Sequence, residues 1–231
     1  MLDFSLESLV PEGTLEEKKV IQQIIEENSK IKNLTDEELI LLVELRRKNS
    51  STNRSESLKI KQKWMMALLY FQDTLNKDKF DLYDLKKIHS LIHQGSIQNL
   101  IGFRDKAVFA GGRSFPSPSL LEKLMYELFR TIDQIESPIS QAAFSYQALC
   151  SIHPFEDGNG RVSRFLADFY LIRNGYSPLI FPSTCHGLIV SSKNREKKHI
   201  DSLNKILIST QWARKLFSKK ENCKTQLNGN P

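Results

Sequence analysis

The chain has 231 residues, 40% of them hydrophobic and 26% charged, a balance that suits one ordinary soluble domain with some extension rather than two domains. The net charge of +6 favours attraction of a nucleotide or an acidic surface. The densest basic runs, Lys193 to Lys198 and Arg214-Lys215 with Lys219-Lys220, fall on expected helices without interleaved aromatics. They read as solvated faces, and no nucleic acid is expected as a partner. No apolar run approaches the ~20 residues that a membrane span requires, and the acidic N-terminus lacks the layout of a signal peptide. Three cysteines without zinc spacing fit a reducing cytosol, so the expected location is cytoplasmic, with delivery into a host cell left open.

Thr14-Leu-Glu-Glu17 and Thr35-Asp-Glu-Glu38 each read as a capping box, so helices are expected to about residue 29 and about residue 48. The polar cluster 48–54 is the best linker in the chain. A long helix is expected over about 55–76, and Asp81 can cap another to about His93. His89 and His93, four apart on that helix, lack a third ligand and read as packing residues rather than as a metal site.

Ala107-Val-Phe-Ala110, Gly111-Gly112 and Arg113-Ser-Phe-Pro116 suggest a short β-hairpin, whose edge groups suit an extended peptide. Ser119-Leu-Leu-Glu122 is a third capping box, followed by an apolar stripe from Leu121 to Ile135 at helical spacing. Ser137-Pro138 starts a helix rich in small residues that runs to Ile152. After the loop that follows, a helix from Arg161 stops at Asn174-Gly175. Two further helices, about 192–208 and 210–219, precede a polar tail. The expected fold is mainly α, with one hairpin. Its parts are a helical N-terminal extension (1–54), a principal domain (55–220) and a loose tail (221–231).

The chain is organised around His153-Pro-Phe-Glu-Asp157-Gly-Asn-Gly-Arg161, continued by Val162-Ser-Arg164. Gly158 and Gly160 flank Asn159 and free backbone N–H groups at the start of a helix, which makes an anion site. Arg161 and Arg164 are three apart and can both extend toward phosphates. Asp157 supplies a hard oxygen suited to magnesium on a polyphosphate. His153 titrates near neutrality and is the obvious general base. These parts suit a nucleoside triphosphate with its magnesium and a nucleophile activated for in-line attack on phosphorus. No Gly-Lys-Ser/Thr follows the glycines, so the loop is not a Walker A.

This segment resembles the signature of Fic domains: His, any residue, Phe, any residue, Asp or Glu, Gly-Asn-Gly-Arg, two residues, Arg. Every fixed position is matched between His153 and Arg164. Gly102-Phe103-Arg104, the hairpin with Phe115-Pro116 and the helix after Ser119 resemble what precedes that motif in the family, so the similarity covers about 60–208. The resemblance implies a Fic-type helical bundle that transfers AMP from ATP to a Ser, Thr or Tyr hydroxyl of a target protein and releases pyrophosphate. By matching position, His153 would be the base and Asp157 the Mg2+ ligand. Gly158, Asn159 and Gly160 would cradle the α- and β-phosphates, Arg161 and Arg164 would bind the outer phosphates, and Phe155 would anchor the loop. The segment 107–116 would be the flap on which the target protein docks. Doc-like relatives carry lysine in place of Gly160 and phosphocholine-transferring relatives alanine in place of Gly158, so both glycines favour AMP.

Many relatives are inhibited by a Ser/Thr, three residues, Glu, Gly/Asn motif whose glutamate pairs with the second motif arginine, Arg164 here. Ser8-Leu-Val-Pro-Glu12-Gly13 fits that pattern, although Pro11 opposes a helix. Thr52-Asn-Arg-Ser-Glu56 precedes a helix but is followed by Ser57. Glu56 and Glu12 are therefore the two inhibitory candidates, the N-terminal extension would be regulatory, and a separate inhibitor protein is the alternative. For adenine, relatives use residues after the motif helix, which points to Ser192–Leu203, with Asn194, Arg195 and His199 as candidates. Transfer of a phosphoryl or uridylyl group and a silent binding or antitoxin partner are the competing functions.

Overall fold

Thr14 opens the first helix because its hydroxyl accepts the Glu17 N–H while the Glu17 carboxylate accepts the Thr14 N–H, a complete capping box. The computed structural model describes residues 6–31, 58–94, 101–110, 113–180 and 198–227. The helix expected after Thr35 lies outside them. Among the described residues there are seven α-helices: α1 Leu15–Ser29, α2 Leu58–Thr74, α3 Leu82–Gln94, α4 Leu121–Ile132, α5 Pro138–Ile152, α6 Asn159–Arg173 and α7 Lys198–Leu227. The fold is mainly α, as the sequence predicts. Two strands of two residues each, β1 Phe109–Ala110 and β2 Arg113–Ser114, pair antiparallel, with Phe109 opposite Ser114.

Local chemistry sets most helix ends. Asp81 and Asp84 each accept the other's backbone N–H at the start of α3, and the Ser137 hydroxyl accepts the Ser140 N–H ahead of Pro138 in α5. Gly175, at φ +75°, ends α6 in a Schellman turn in which Tyr176 N–H reaches Leu171 O and Gly175 N–H reaches Ile172 O.

Two expectations are corrected. Ser119 caps nothing: its hydroxyl bonds that of Ser117, a 3-10 turn spans Pro118–Leu120, and α4 begins at Leu121. The last two helices expected are one, Lys198–Leu227, which also carries helix into the expected tail. The hydroxyls at the supposed break are satisfied without ending the helix. Thr210 Oγ1 donates back to Ile206 O, and Ser209 Oγ accepts the Ile180 N–H.

The core has two main parts. One gathers the inner faces of α2, α3 and α4 against α5 and α6, with Phe165 meeting Trp64 and Phe71 at centroid distances of 5.4 and 5.0 Å. The other packs Val20 and Ile24 of α1 on Ala142, Ala143, Leu171, Leu203 and Ile206. Helices α5 and α6 contribute to both, and alanines let α5 be buried along its length. The N-terminal stretch belongs to the same cores: Leu6 and Leu9 join the first, and Asn28 clasps the end of α6 through Gly175 O and Ser177 N–H.

Phe165→Ala should therefore cost about 3–5 kcal/mol of stability in urea unfolding; a loss well under ~1 kcal/mol would contradict this packing.

Candidate active site

The loop between α5 and α6 carries the motif, and its shape follows from three anchors. Phe155 is fully buried in the core, flat against His89 at 3.8 Å and edge-on to Phe103 at 5.6 Å. Asn159 is buried as well. Its Oδ1 accepts the Phe155 N–H at 2.9 Å and its Nδ2 donates to Phe155 O at 2.8 Å. The side chain of Asn159 thus closes the loop, beyond any part it has in phosphate binding. The third anchor is Arg104, 4% exposed, which reaches His153 O, Lys106 O and Pro116 O through its guanidinium while its N–H bonds Pro154 O.

His153 ends α5 in the left-handed region, at φ +53° and ψ +58°, the one non-glycine residue with positive φ among the described residues. Its ring is half-buried and stacks on Phe115 at 4.1 Å. Burial lowers its pKa, and the nearby Arg104 charge adds to the effect against the opposing pull of the Cys150 carbonyl and Asp157. The imidazole is therefore neutral at neutral pH, as a proton acceptor must be.

Helix α6 begins at Asn159, two residues earlier than the sequence predicts, with Gly158 as its N-cap at φ +84°. The first N–H groups of the helix, those of Asn159 and Gly160, precede any intrahelical carbonyl partner, which leaves the end of the helix suited to an anion. Asp157 accepts the Gly158 N–H at Oδ1 and pairs with Arg161 Nη2 at 2.8 Å through Oδ2. Burial acts to raise its pKa, but the Arg161 charge, the Gly158 N–H and His93 together outweigh it, and the carboxyl is held below its usual range. Arg161 is partly exposed, while Arg164 is buried on the inner side of the helix. The motif thus has its base, its helix N-terminus and its carboxylate on one short loop.

His89 and His93 face that loop from α3. His89 Nε2 donates to Asp157 O at 2.8 Å, leaving Nδ1 buried without a hydrogen bond, and burial takes its pKa down to about 4. His93 Nε2 accepts from Arg161 Nη2 at 3.3 Å. A Cβ on Gly158 would meet His93 Nε2 at 2.5 Å. The i,i+4 spacing singled out the pair; its role as the wall of the loop was not legible there, nor were the parts played by Arg104 and Phe115.

Among the described residues, two candidates stand apart from the site. Glu12 is exposed in the coil before α1, its N–H bonded to Glu17, while Glu56, like Asn194 and Arg195, lies outside the described residues. His199 is buried rather than solvated and faces Glu17 of α1; burial lowers its pKa to about 4. A cleft of about 380 Å³ lies at the far end of α6, where Lys79 pairs with Asp133 and Arg173 bonds Asp78 O.

Gly158→Ala should lose most activity, since it adds left-handed strain of about 1 kcal/mol to the encounter with His93. In the His93→Ala background the steric part is relieved. A double-mutant cycle on stability should then show coupling of at least about 0.5 kcal/mol, and strict additivity would contradict the contact.

Comparison with known proteins agrees with this fold. The model of the Fic/DOC family matches residues 79–171. The chain is similar to the protein adenylyltransferase Fic of Drosophila persimilis, 35% identical over 124 residues, which is 51% of this chain and 24% of that protein. It is equally similar to the protein of the same name from Drosophila melanogaster, at 35% over 124 residues and 25% of that protein. The chain spans about a quarter of the length of these curated relatives. Among solved structures, Fic-1 of C. elegans shares the fold with a TM-score of 0.69 at 14% identity, over 90% of this chain and 73% of that one. An IbpAFic2 variant in complex with adenylylated Cdc42 does so with a TM-score of 0.70 at 16% identity, over 89% and 72%. Motif, fold and family model thus agree in making residues 79–171 similar to the Fic/DOC family.

Proposed function

We propose that this chain transfers AMP from ATP to a Ser, Thr or Tyr hydroxyl of a target protein and releases pyrophosphate. One observation carries the reading: a neutral imidazole and an uncapped helix N-terminus are held by the same locked loop. The adenylyltransferase relatives and the neighbour seen with adenylylated Cdc42 support it.

In this reading Gly158, Asn159 and Gly160 cradle the triphosphate, which lies against the N–H groups of Asn159 and Gly160 while that of Gly158 holds Asp157, with Arg161 and Arg164 toward the outer phosphates. His153 takes the proton of the incoming hydroxyl at its free ring nitrogen. Mg2+ fits the donor set, because it takes one or two carboxylates together with phosphate oxygens, and the Asp157 carboxylate is ionised and largely exposed. Asp157 would hold the ion, which supplies charge neutralisation for the phosphates. The target docks as an extended segment on the flap over 107–116, where Phe109 is 73% exposed. The work is done in the cytoplasm on a protein substrate.

ATP labelled at the α or the γ position separates this reading from its rivals. Only α-label should appear on protein; γ-label would mean phosphoryl transfer, and no label from ATP would leave UMP transfer or a silent binding module. His153→Ala should lower α-label incorporation by about 10²–10⁴-fold with little change in melting temperature. Full activity in that variant removes the base.

Glu56 and Glu12 are distinguished by substitution. Glu56 stands two positions ahead of α2 in the sequence, the context a helical inhibitory motif needs, whereas Glu12 sits in coil. Glu56→Gly should therefore raise automodification and Glu12→Gly should not. A rise with Glu12→Gly alone would reverse the assignment, and no rise in either would assign inhibition to a separate protein.

A further inference from the structure

The flap root and the motif loop are joined twice. Arg104 fixes the main chain on both sides of the joint: its N–H bonds Pro154 O at 2.9 Å, its Nε bonds His153 O at 2.8 Å, and its Nη atoms bond Lys106 O and Pro116 O at 2.8 and 2.6 Å. Every one of these partners is a backbone carbonyl, so a buried cation is spent on orienting peptide groups rather than on neutralising an acid. Two of the carbonyls belong to the motif and two bracket the strand pair. The second joint is between rings, where Phe115, the residue after β2, covers one face of the His153 imidazole.

We propose that Arg104 and Phe115 are positioning residues that clamp His153 to the root of the β1–β2 flap, so that the seating of the target and the aim of the base are set by one unit. The proposal rests on the assignment of His153 as the base. His153 needs such a clamp. It is held in a left-handed conformation that an L-residue adopts only when its surroundings dictate it. The bond from Arg104 fixes the peptide that follows the residue, and Phe115 covers one face of the ring. The ring edge is left for the hydroxyl presented by a target on the same flap. The charged groups that face the ring are Arg104, which disfavours its protonation, and Asp157, which favours it.

The test is an NMR pH titration of the His153 imidazole, assigned through His153→Ala, alongside steady-state AMP transfer and binding of a non-hydrolysable ATP analogue. Removing the aromatic cover in Phe115→Ala rehydrates the ring, so its titration should move up toward the ordinary histidine range, whereas Phe115→Leu keeps an apolar cover and should move it less. Arg104→Lys keeps the charge but not the fork; its kcat should fall at least about tenfold with the KM for ATP unchanged. Analogue affinity should stay within about twofold in all three variants. An unshifted His153 titration in Phe115→Ala overturns the clamp, as does loss of analogue binding in step with turnover. Should the wild-type protein transfer no AMP, the proposed function falls, and the titration alone still decides whether Phe115 holds the ring.

Discussion

The candidate site depends on the two-way bond between the Asn159 carboxamide and the backbone of Phe155. A loop that turns this sharply after a helix leaves buried peptide groups without regular partners, and here one side chain serves both the N–H and the C=O of the same residue. Losing it would orphan two buried groups at about 1–3 kcal/mol each, a large share of the stability of a marginal fold. The loop is therefore fixed as firmly as the helices it joins. With Phe155 driven into the core, Gly158 is brought to its positive φ and α6 can start at the next residue.

That lock works because of where the loop is mounted. Helices α5 and α6 are the most deeply buried in the fold and contribute to both main parts of the core, so the loop inherits their rigidity. One side of it is walled by the imidazoles of α3 and the other by Arg104 and the flap root. A site assembled this way has little freedom to re-form on binding, and catalysis by positioning needs such pre-organisation.

The sequence disclosed the elements better than their contacts. Helix ends set by local chemistry were readable: Thr14 with Glu17, Asp81, Ser137-Pro138 and Asn174-Gly175 act within a few residues of themselves. Ser119 misled because the same hydroxyl can bond a neighbouring serine, and the join near Ser209 misled because a tertiary partner, Ile180, satisfied a residue that otherwise signals a break. At the site, the motif named the chemistry, since His, Asp, Gly and Arg carry it in their own atoms. The parts of Arg104, Phe115, His89 and His93 were hidden because each acts across 38 to 68 positions of chain, a separation over which no local pattern operates. Arg164, placed by spacing beside Arg161, is buried while Arg161 stays partly exposed, a difference in depth that spacing alone does not carry because three residues set the two about 60° apart around the helix.

The ion pair between Asp157 and Arg161 looks at first like an obstacle, since it joins the expected metal ligand to an expected phosphate ligand. Its magnitude settles the matter. Asp157 is 79% exposed and Arg161 30%, and pairs of that kind contribute no more than about 1 kcal/mol. Charge-assisted contacts to a phosphate are stronger, and a guanidinium that meets phosphate oxygens bidentately loses nothing by leaving a solvated carboxylate. The depressed pKa of Asp157 keeps it anionic while it waits, and His93 accepts from the same Nη2 of Arg161 that meets Asp157. The pair is weak enough to open for a magnesium-bound triphosphate, yet it holds both side chains at the mouth of the helix, where their charges will be used.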